Sequence, residues 1–451
     1  MPRMTVNWSL HETALFLIAL TNVTAFVGMA FPYGFPLFSF LVLLCLALTF
    51  FALLVQPGKS FFGKRSTPFL SFYLLIVASF FYALVVSEGA LGARESNNLI
   101  NLVSLTLLFA ISLFWVSSEE ALSSFYSRFQ YLMIVFAGLV GIAGLHKLYM
   151  FSKGVLIERY FAGSVYPIGT SLVNDYNFYA LSLICALVYC IKVIIEEKRF
   201  LPLLLCSVVS PILLINIALS GSRRAIVVLA LILLFVMWRF FYSSAKAASE
   251  FFGARVSRKL LYLLLVGVIL SPGVIAVAPK VLEADSGTFE KIEYRINTLW
   301  KLMDRQSGSS SPTEARTKRW AMAIEIFDDF SLFEKAFGDG FSYYKSLREN
   351  NLQPDTQGYP HNLFFSLLLS NGLAGALITI SSFLYFAYLA WTIRKSQPEL
   401  LSLFLIFFFY ISTSGDQWFS VKPHLILIFT IFYFYRLKAV NEKPAHLVNQ
   451  F

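Results

Sequence analysis

Pro360-His361-Asn362 closes a long polar stretch, about Lys280 to Pro360, and opens the next apolar span. An imidazole there can accept a proton near neutral pH, which suits a general base acting on a sugar hydroxyl; the same ring could simply hydrogen-bond a phosphate or a sugar. His11, His146, His424 and His446 are scattered near span ends, and a structural role is the default for each. A second set of residues is cationic. Ser220-Gly221-Ser222-Arg223-Arg224 joins two apolar spans with almost no loop, so two guanidinium groups lie at the edge of the hydrocarbon. Arginine near a helix end commonly just snorkels to headgroups. Its planar fork also matches the oxygens of a lipid-linked phosphate or diphosphate. Gly221 and Ser222 could add backbone and hydroxyl donors at the N-terminus of the following helix, where the dipole favours an anion.

Inside the polar stretch, Trp320, Ala323, Ile324 and Phe327 follow helical spacing and predict an amphipathic helix lying on the membrane or on the helix bundle. Arg316 and Trp320 share one face of it. That face is either solvated and basic with an interfacial tryptophan, or Arg316, with Arg319, shares an anion with Arg223 and Arg224. Asn362 is a candidate helper to His361. Asp416, in Gly415-Asp416-Gln417-Trp418, is either a weaker substrate contact or a turn beside an interfacial anchor.

The elements that must position these groups are membrane spans. Residues are 57% apolar, 17% aromatic and only 14% charged, which leaves too few polar side chains to cover a water-exposed surface. The formal charge of +10 flanks the apolar spans instead of forming an aromatic-interleaved basic face, so membrane topology explains it and no nucleic-acid partner is expected. Cys45, Cys185, Cys190 and Cys206 all lie in apolar runs without a CxxC, and read as buried filler.

A transmembrane helix needs about 20 apolar residues. Stretches of that kind fall at 12–30, 35–56, 68–87, 98–116, 129–147, 172–194, 201–219, 225–241, 260–278, 362–392, 399–413 and 423–436. The fold class expected is all-α, one polytopic membrane domain over 1–451 with about twelve spans and a large loop, 279–361, inserted in it. The 362–392 stretch is long enough to be tilted or broken, with Gly372 and Gly375 at the weak point. The first span is followed by no small-residue cleavage site and reads as a retained anchor. Lys and Arg in the short loops place both termini in the cytoplasm, against one acidic connection at Glu119 and Glu120. Arg223, Arg224, the long loop, His361 and Asp416 then share the outer face.

No DxD pair, HExxH, Walker-type glycine loop or GxSxG is present, so nucleotide-sugar, zinc-hydrolase and serine-hydrolase chemistries lack their residues, and no metal or cofactor is expected. His361-Asn362, nine residues, then Gly372-Leu373-Ala374-Gly375 resembles the H[NSQ]-x9-Gxx[GTY] pattern of bacterial O-antigen ligases, at the end of their large periplasmic loop. The Ser-Gly-Ser-Arg-Arg junction, Arg316-x3-Trp320 and Asn174-Asp175-Tyr176-Asn177 resemble segments of the wider O-antigen ligase and polymerase superfamily. The layout is similar as well. One departure stands out: the family's arginine-x3-leucine element reads here as Arg223 to Val227 or Arg224 to Val228.

The resemblance implies a metal-independent, inverting glycosyltransferase with a GT-C-like helical fold in the bacterial inner membrane, its active site facing the periplasm. It implies a donor glycan on undecaprenyl diphosphate and, for a ligase, an acceptor hydroxyl on the lipid A core oligosaccharide, both held among membrane lipids. On this reading Arg223, Arg224 and Arg316 bind the diphosphate and His361 is the base or the group that positions the acceptor. The rival within the superfamily is a polymerase using two lipid-linked glycans. Rivals of other classes are a transporter of lipid-linked sugars without bond chemistry and a scaffold for envelope enzymes.

Overall fold

The structure, a computed structural model, describes residues 10–27, 34–55, parts of 78–116, 119–157, 167–173, 175–232, 234, 312–340, 342–343, 360, 362–394 and 397–412. Among them the backbone is helical or loop. The helices are α1 (Leu10–Val27), α2 (Gly34–Val55), α3 (Glu119–Ser152), α4 (Tyr176–Glu196), α5 (Phe200–Leu219), α6 (Pro312–Asp329), α7 (Leu332–Phe337), α8 (Leu363–Ile393) and α9 (Pro398–Ser412). The amphipathic helix predicted from Trp320, Ala323, Ile324 and Phe327 falls within α6.

Five helices are long and apolar enough to cross a membrane, namely those containing Leu37–Leu54, Glu120–Phe151, Tyr176–Glu196, Phe200–Leu219 and Leu363–Ile393; α1 and α9 carry shorter apolar segments. The chain is thus an all-α, polytopic membrane protein. Five spans, not twelve, stand among the described residues. The expected spans at 260–278 and 423–436, most of 68–87 and the loop segment 279–311 lie outside them. α3 also begins ten residues before the expected 129–147 span. Its first turns are too polar for a hydropathy window, and the acidic connection that ran against the topology is this helix start, where exposed Glu120 complements the positive end of the dipole.

The chain divides into two compact units. The first takes in Met1–Ile18, Leu41–Phe125 and Gly308–Phe451, the second Ala19–Phe40 and Tyr126–Ser307. The second is built around α4, which is apolar all round and buried over most of its length, from Phe178 to Ile194. In a membrane a helix of that composition can face lipid or protein, and here protein covers most of it. Gly138, Gly141 and Gly144 form a stripe on α3 that lets α5 and Tyr179 come close: a Cβ at Gly138 would sit 3.2 Å from Val209 and one at Gly144 would meet the Tyr179 hydroxyl. Small residues at such crossings are how membrane helices approach one another.

In the first unit α2 shows the opposite pattern, with Phe40 of its second-unit end and Leu43, Phe50, Phe51 and Leu54 all exposed, as on a lipid-facing helix. Trp115 donates its Nε1–H to Thr49 Oγ1 at 2.9 Å, and that hydroxyl in turn donates to Cys45 O at 2.7 Å, so the buried indole and hydroxyl satisfy each other and a helix carbonyl. All four cysteines are buried and free of disulfides.

α8 is broken where the sequence marked it. Gly372 takes φ 62° and ψ −164°, a conformation that L side chains rarely adopt. The part after the break, 373–393, is about 31 Å long at 1.5 Å per residue, enough by itself to cross a hydrocarbon core of about 30 Å. The leading segment 363–371 is therefore relieved of spanning and is available to the loop that precedes it.

Candidate functional site

In the second unit the arginine turn is assembled from three elements. α5 ends at Leu219, and Ser220 closes it by donating Oγ to Ile217 O at 2.7 Å. Gly221 then turns the chain with φ 76°. Ser222 opens the next helical stretch, 223–232: its Oγ accepts the Ala225 N–H at 3.2 Å and donates to Asn177 Oδ1 at 2.9 Å. Asn177 lies in the first turn of α4, which Asp175 caps by accepting the N–H groups of Asn177 (3.1 Å) and Phe178 (3.4 Å). Arg223 and Arg224 are consequently the first two residues of a helix and are half-buried. Two guanidinium groups thus stand at the positive end of a helix dipole, where anions are the favoured neighbours. Ser222, expected as a ligand donor, is fully buried and has its hydroxyl committed to the cap and to Asn177.

The histidine junction belongs to the first unit and is held differently. Trp320 of α6 donates its Nε1–H to Pro360 O at 3.1 Å, and its ring lies 6.0 Å from Phe365. The tryptophan therefore ties α6 to the residue before His361. On the other side, Asn362 caps α8, accepting the Phe364 N–H at 2.9 Å through Oδ1. Asn362, the candidate helper, thus also caps a helix. Arg316 stands one helical turn before Trp320 on the same face of α6, and Arg319 is half-buried beside it. His361 and Asp416 lie outside the described residues.

Below the junction, α7 starts with a capping box: Ser331 Oγ accepts the Glu334 N–H at 3.3 Å, and the Ser331 N–H donates to Glu334 Oε2 at 2.8 Å. The segment after α7 then runs against the broken end of α8. The Asp339 N–H donates to Leu369 O at 2.9 Å and the Gly340 N–H to Ser370 O at 3.1 Å, so these carbonyls before the break are satisfied by the loop. The two backbones meet so closely that a Cβ on Gly338 would strike Ser370 and Asn371, and one on Gly372 would lie 2.5 Å from Ala336 C. Gly372, a motif residue, is a glycine for that reason.

Two carboxylates outside the spans are held below the ordinary range, Glu334 by the Ser331 hydrogen bonds and Glu197 by the Arg199 guanidinium at 2.6 Å. Neither is near the expected site residues in sequence, and both fix local turns. Sequence reasoning misses Lys147, Thr170 and Asn216, which form a buried polar network under the arginine turn. The signal for it is a lysine and an asparagine within apolar stretches, where polar groups are costly and seldom idle.

Fold and site together define an all-α, multi-pass membrane protein with a paired-arginine helix start in one unit and an Asn362-capped helix start in the other. The family model described as O-Antigen ligase matches residues 208–380, so the chain is a membrane protein containing an O-antigen ligase-family domain. No curated protein matches the chain.

Proposed function

We propose that this protein is a membrane glycosyltransferase that moves a glycan from undecaprenyl diphosphate to a hydroxyl of the lipid A core oligosaccharide, the O-antigen ligase reaction. The observation that carries the reading is the extent of the family match. Residues 208–380 take in Arg223, Arg224, Arg316, Arg319, His361 and Asn362 together with the Gly372 break.

The chemistry asked of these residues is simple. The acceptor oxygen attacks the anomeric carbon from the face opposite the diphosphate; the new C–O bond forms as the bond to the diphosphate oxygen breaks, inverting the centre. His361 takes the proton from the acceptor hydroxyl, and undecaprenyl diphosphate leaves with the bonding electrons. Negative charge grows on the leaving group, and Arg223, Arg224 and Arg316 neutralise it with fixed guanidinium charge in place of a divalent cation. Arg319 and Asp416 are further substrate contacts in this scheme. Both substrates are amphiphiles confined to one leaflet, which supplies the proximity term. The site faces the periplasm in the bacterial inner membrane, with both termini cytoplasmic.

The test is the product formed by purified protein given undecaprenyl diphosphate-linked glycan with and without lipid A core. Glycan attached to the core, and only when core is present, supports the ligase. Lengthened lipid-linked glycan without core makes the protein a polymerase of the same superfamily. Intact donor recovered on the opposite face of a proteoliposome, with no new bond, makes it a transporter and overturns the assignment.

A further inference from the structure

Beneath the arginine turn, α3 delivers a lysine into the protein interior. Lys147 is 1% exposed, and its ammonium donates to three alternate carbonyls of one loop: Pro167 O at 2.6 Å, Gly169 O at 2.9 Å and Ser171 O at 2.6 Å. An ammonium has three N–H donors, and here three carbonyls take them. The loop so gripped is itself bonded to the end of α5. The Thr170 N–H donates to Leu219 O at 3.2 Å and Thr170 Oγ1 to the Asn216 carbonyl at 2.9 Å. The Asn216 side chain closes the network, accepting the Tyr179 hydroxyl at 2.9 Å and donating to Ile212 O at 2.7 Å. Leu219 is followed at once by Ser220, Gly221 and Ser222, whose bonds to Ile217, Asn177 and Ala225 set the start of the helix that carries Arg223 and Arg224.

We propose that Lys147 is a positioning residue for donor binding: through the 167–171 loop and Thr170 it fixes the end of α5 and thereby the aim of the Arg223–Arg224 pair. The proposal rests on the reading of that pair as the diphosphate-binding group. Lys147 touches no substrate in this scheme, since its donors are spent on the loop. Three carbonyls converging on the side-chain nitrogen in low dielectric hold it in place, a fit that a side chain without N–H donors cannot make. The segment Pro167-Ile168-Gly169-Thr170-Ser171 has the residues such a cage needs. Proline restricts the entry, and Gly169, at φ 54°, lets alternate carbonyls turn to one side.

The experiment compares Lys147→Met and the milder Thr170→Val, which keeps the ammonium cage and deletes one link to α5, with Arg223→Ala and Arg224→Ala. Donor KM and kcat are measured with undecaprenyl diphosphate-linked glycan, and backbone amide exchange is followed at 167–173 and 219–226. The expected result is a donor KM raised about tenfold in Lys147→Met and roughly threefold in Thr170→Val, as the loss of hydrogen bonds of these kinds implies, with kcat at saturating donor within a factor of about two. Exchange at 219–226 quickens in both variants. Unchanged KM and unchanged exchange at 219–226 in Thr170→Val and in folded Lys147→Met overturn the proposal. If the arginine variants themselves keep wild-type donor KM, it is the diphosphate reading that fails, and exchange at 219–226 still decides whether Lys147 sets the turn.

Discussion

The arginine turn and the histidine junction both begin a helix beside an expected site residue, yet they are held by different kinds of bond. At the turn, side chains do the holding: Ser222 to Asn177, Thr170 to Asn216, Tyr179 to Asn216 and Lys147 to three carbonyls. At the junction the backbone carries more, with residues 339 and 340 paired to 369 and 370 across two glycines and side chains contributing the Trp320 tether and the Asn362 cap. A side-chain network fixes where a charge points and is sensitive to single polar deletions. A backbone contact fixes where a chain segment lies, tolerates loss of side chains and fails when a Cβ is added.

That contrast is broken most severely at Gly372. Gly372→Ala forces a side chain into a backbone region that only glycine ordinarily occupies, costing roughly 1–3 kcal/mol, and pushes its methyl group into Ala336. Thermal unfolding in detergent should show a loss of about 2–4 kcal/mol in all. An alanine variant as stable as wild type would mean that the 336–340 segment does not lie where the structure puts it.

At the turn the vulnerable group is a hydroxyl. Ser222→Ala removes the helix cap and the bond to half-buried Asn177, so the expected loss is about 1–3 kcal/mol, with donor KM raised. Ser222→Thr, which keeps the oxygen, should recover much of the stability. Loss of stability without any change in donor KM would detach the turn from substrate binding.

Side-chain deletions at the junction should do less. Asn362→Ala is expected to cost about 1 kcal/mol as a lost helix cap, and Asn362→Asp, which can also cap, should restore stability. Trp320→Phe removes one hydrogen bond to Pro360 and should cost about 0.5–1.5 kcal/mol. If either costs more than Ser222→Ala, the division between side-chain and backbone support is wrong.

The smallest effect expected is one of pH. The Glu334 carboxyl is held below its unfolded value, so the α7 capping box contributes stability that is complete above the unfolded value, near 4.3, and fades as pH falls through the lower folded one. Amide exchange in α7 should therefore quicken only in acid, and Glu334→Gln, which cannot titrate, should abolish that step.

How far the sequence could be read follows from the range of the interactions. Spans such as α4, α5 and α8 are legible to within a few residues because hydrophobicity is a property of the segment itself, and of Gly372 and Gly375, the two glycines at the expected weak point of α8, the break falls at Gly372. The start of α3 is not legible, since its first turns are polar and only packing makes them part of the helix. Among the expected site residues, Ser222 and Asn362 have local duties as caps beside those expected of them. Ser222 and Asn362 each immediately precede an apolar helix, where serine and asparagine serve as caps. The Lys147 cage was out of reach, because its acceptors are backbone carbonyls 20 to 24 residues away that a sequence pattern does not display.

In the proposed reaction the labour is divided: the arginine turn would grip the donor diphosphate and His361 would move the proton. One steady-state experiment on Arg223→Ala, Arg224→Ala and His361→Ala, with donor concentration varied from limiting to saturating and protein levels matched, tests this most directly. The arginine variants should be impaired chiefly in donor KM, whereas His361→Ala should lose about 10²- to 10⁴-fold in kcat with donor affinity retained. Wild-type kcat in His361→Ala at saturating donor, or wild-type donor KM in both arginine variants, would contradict it.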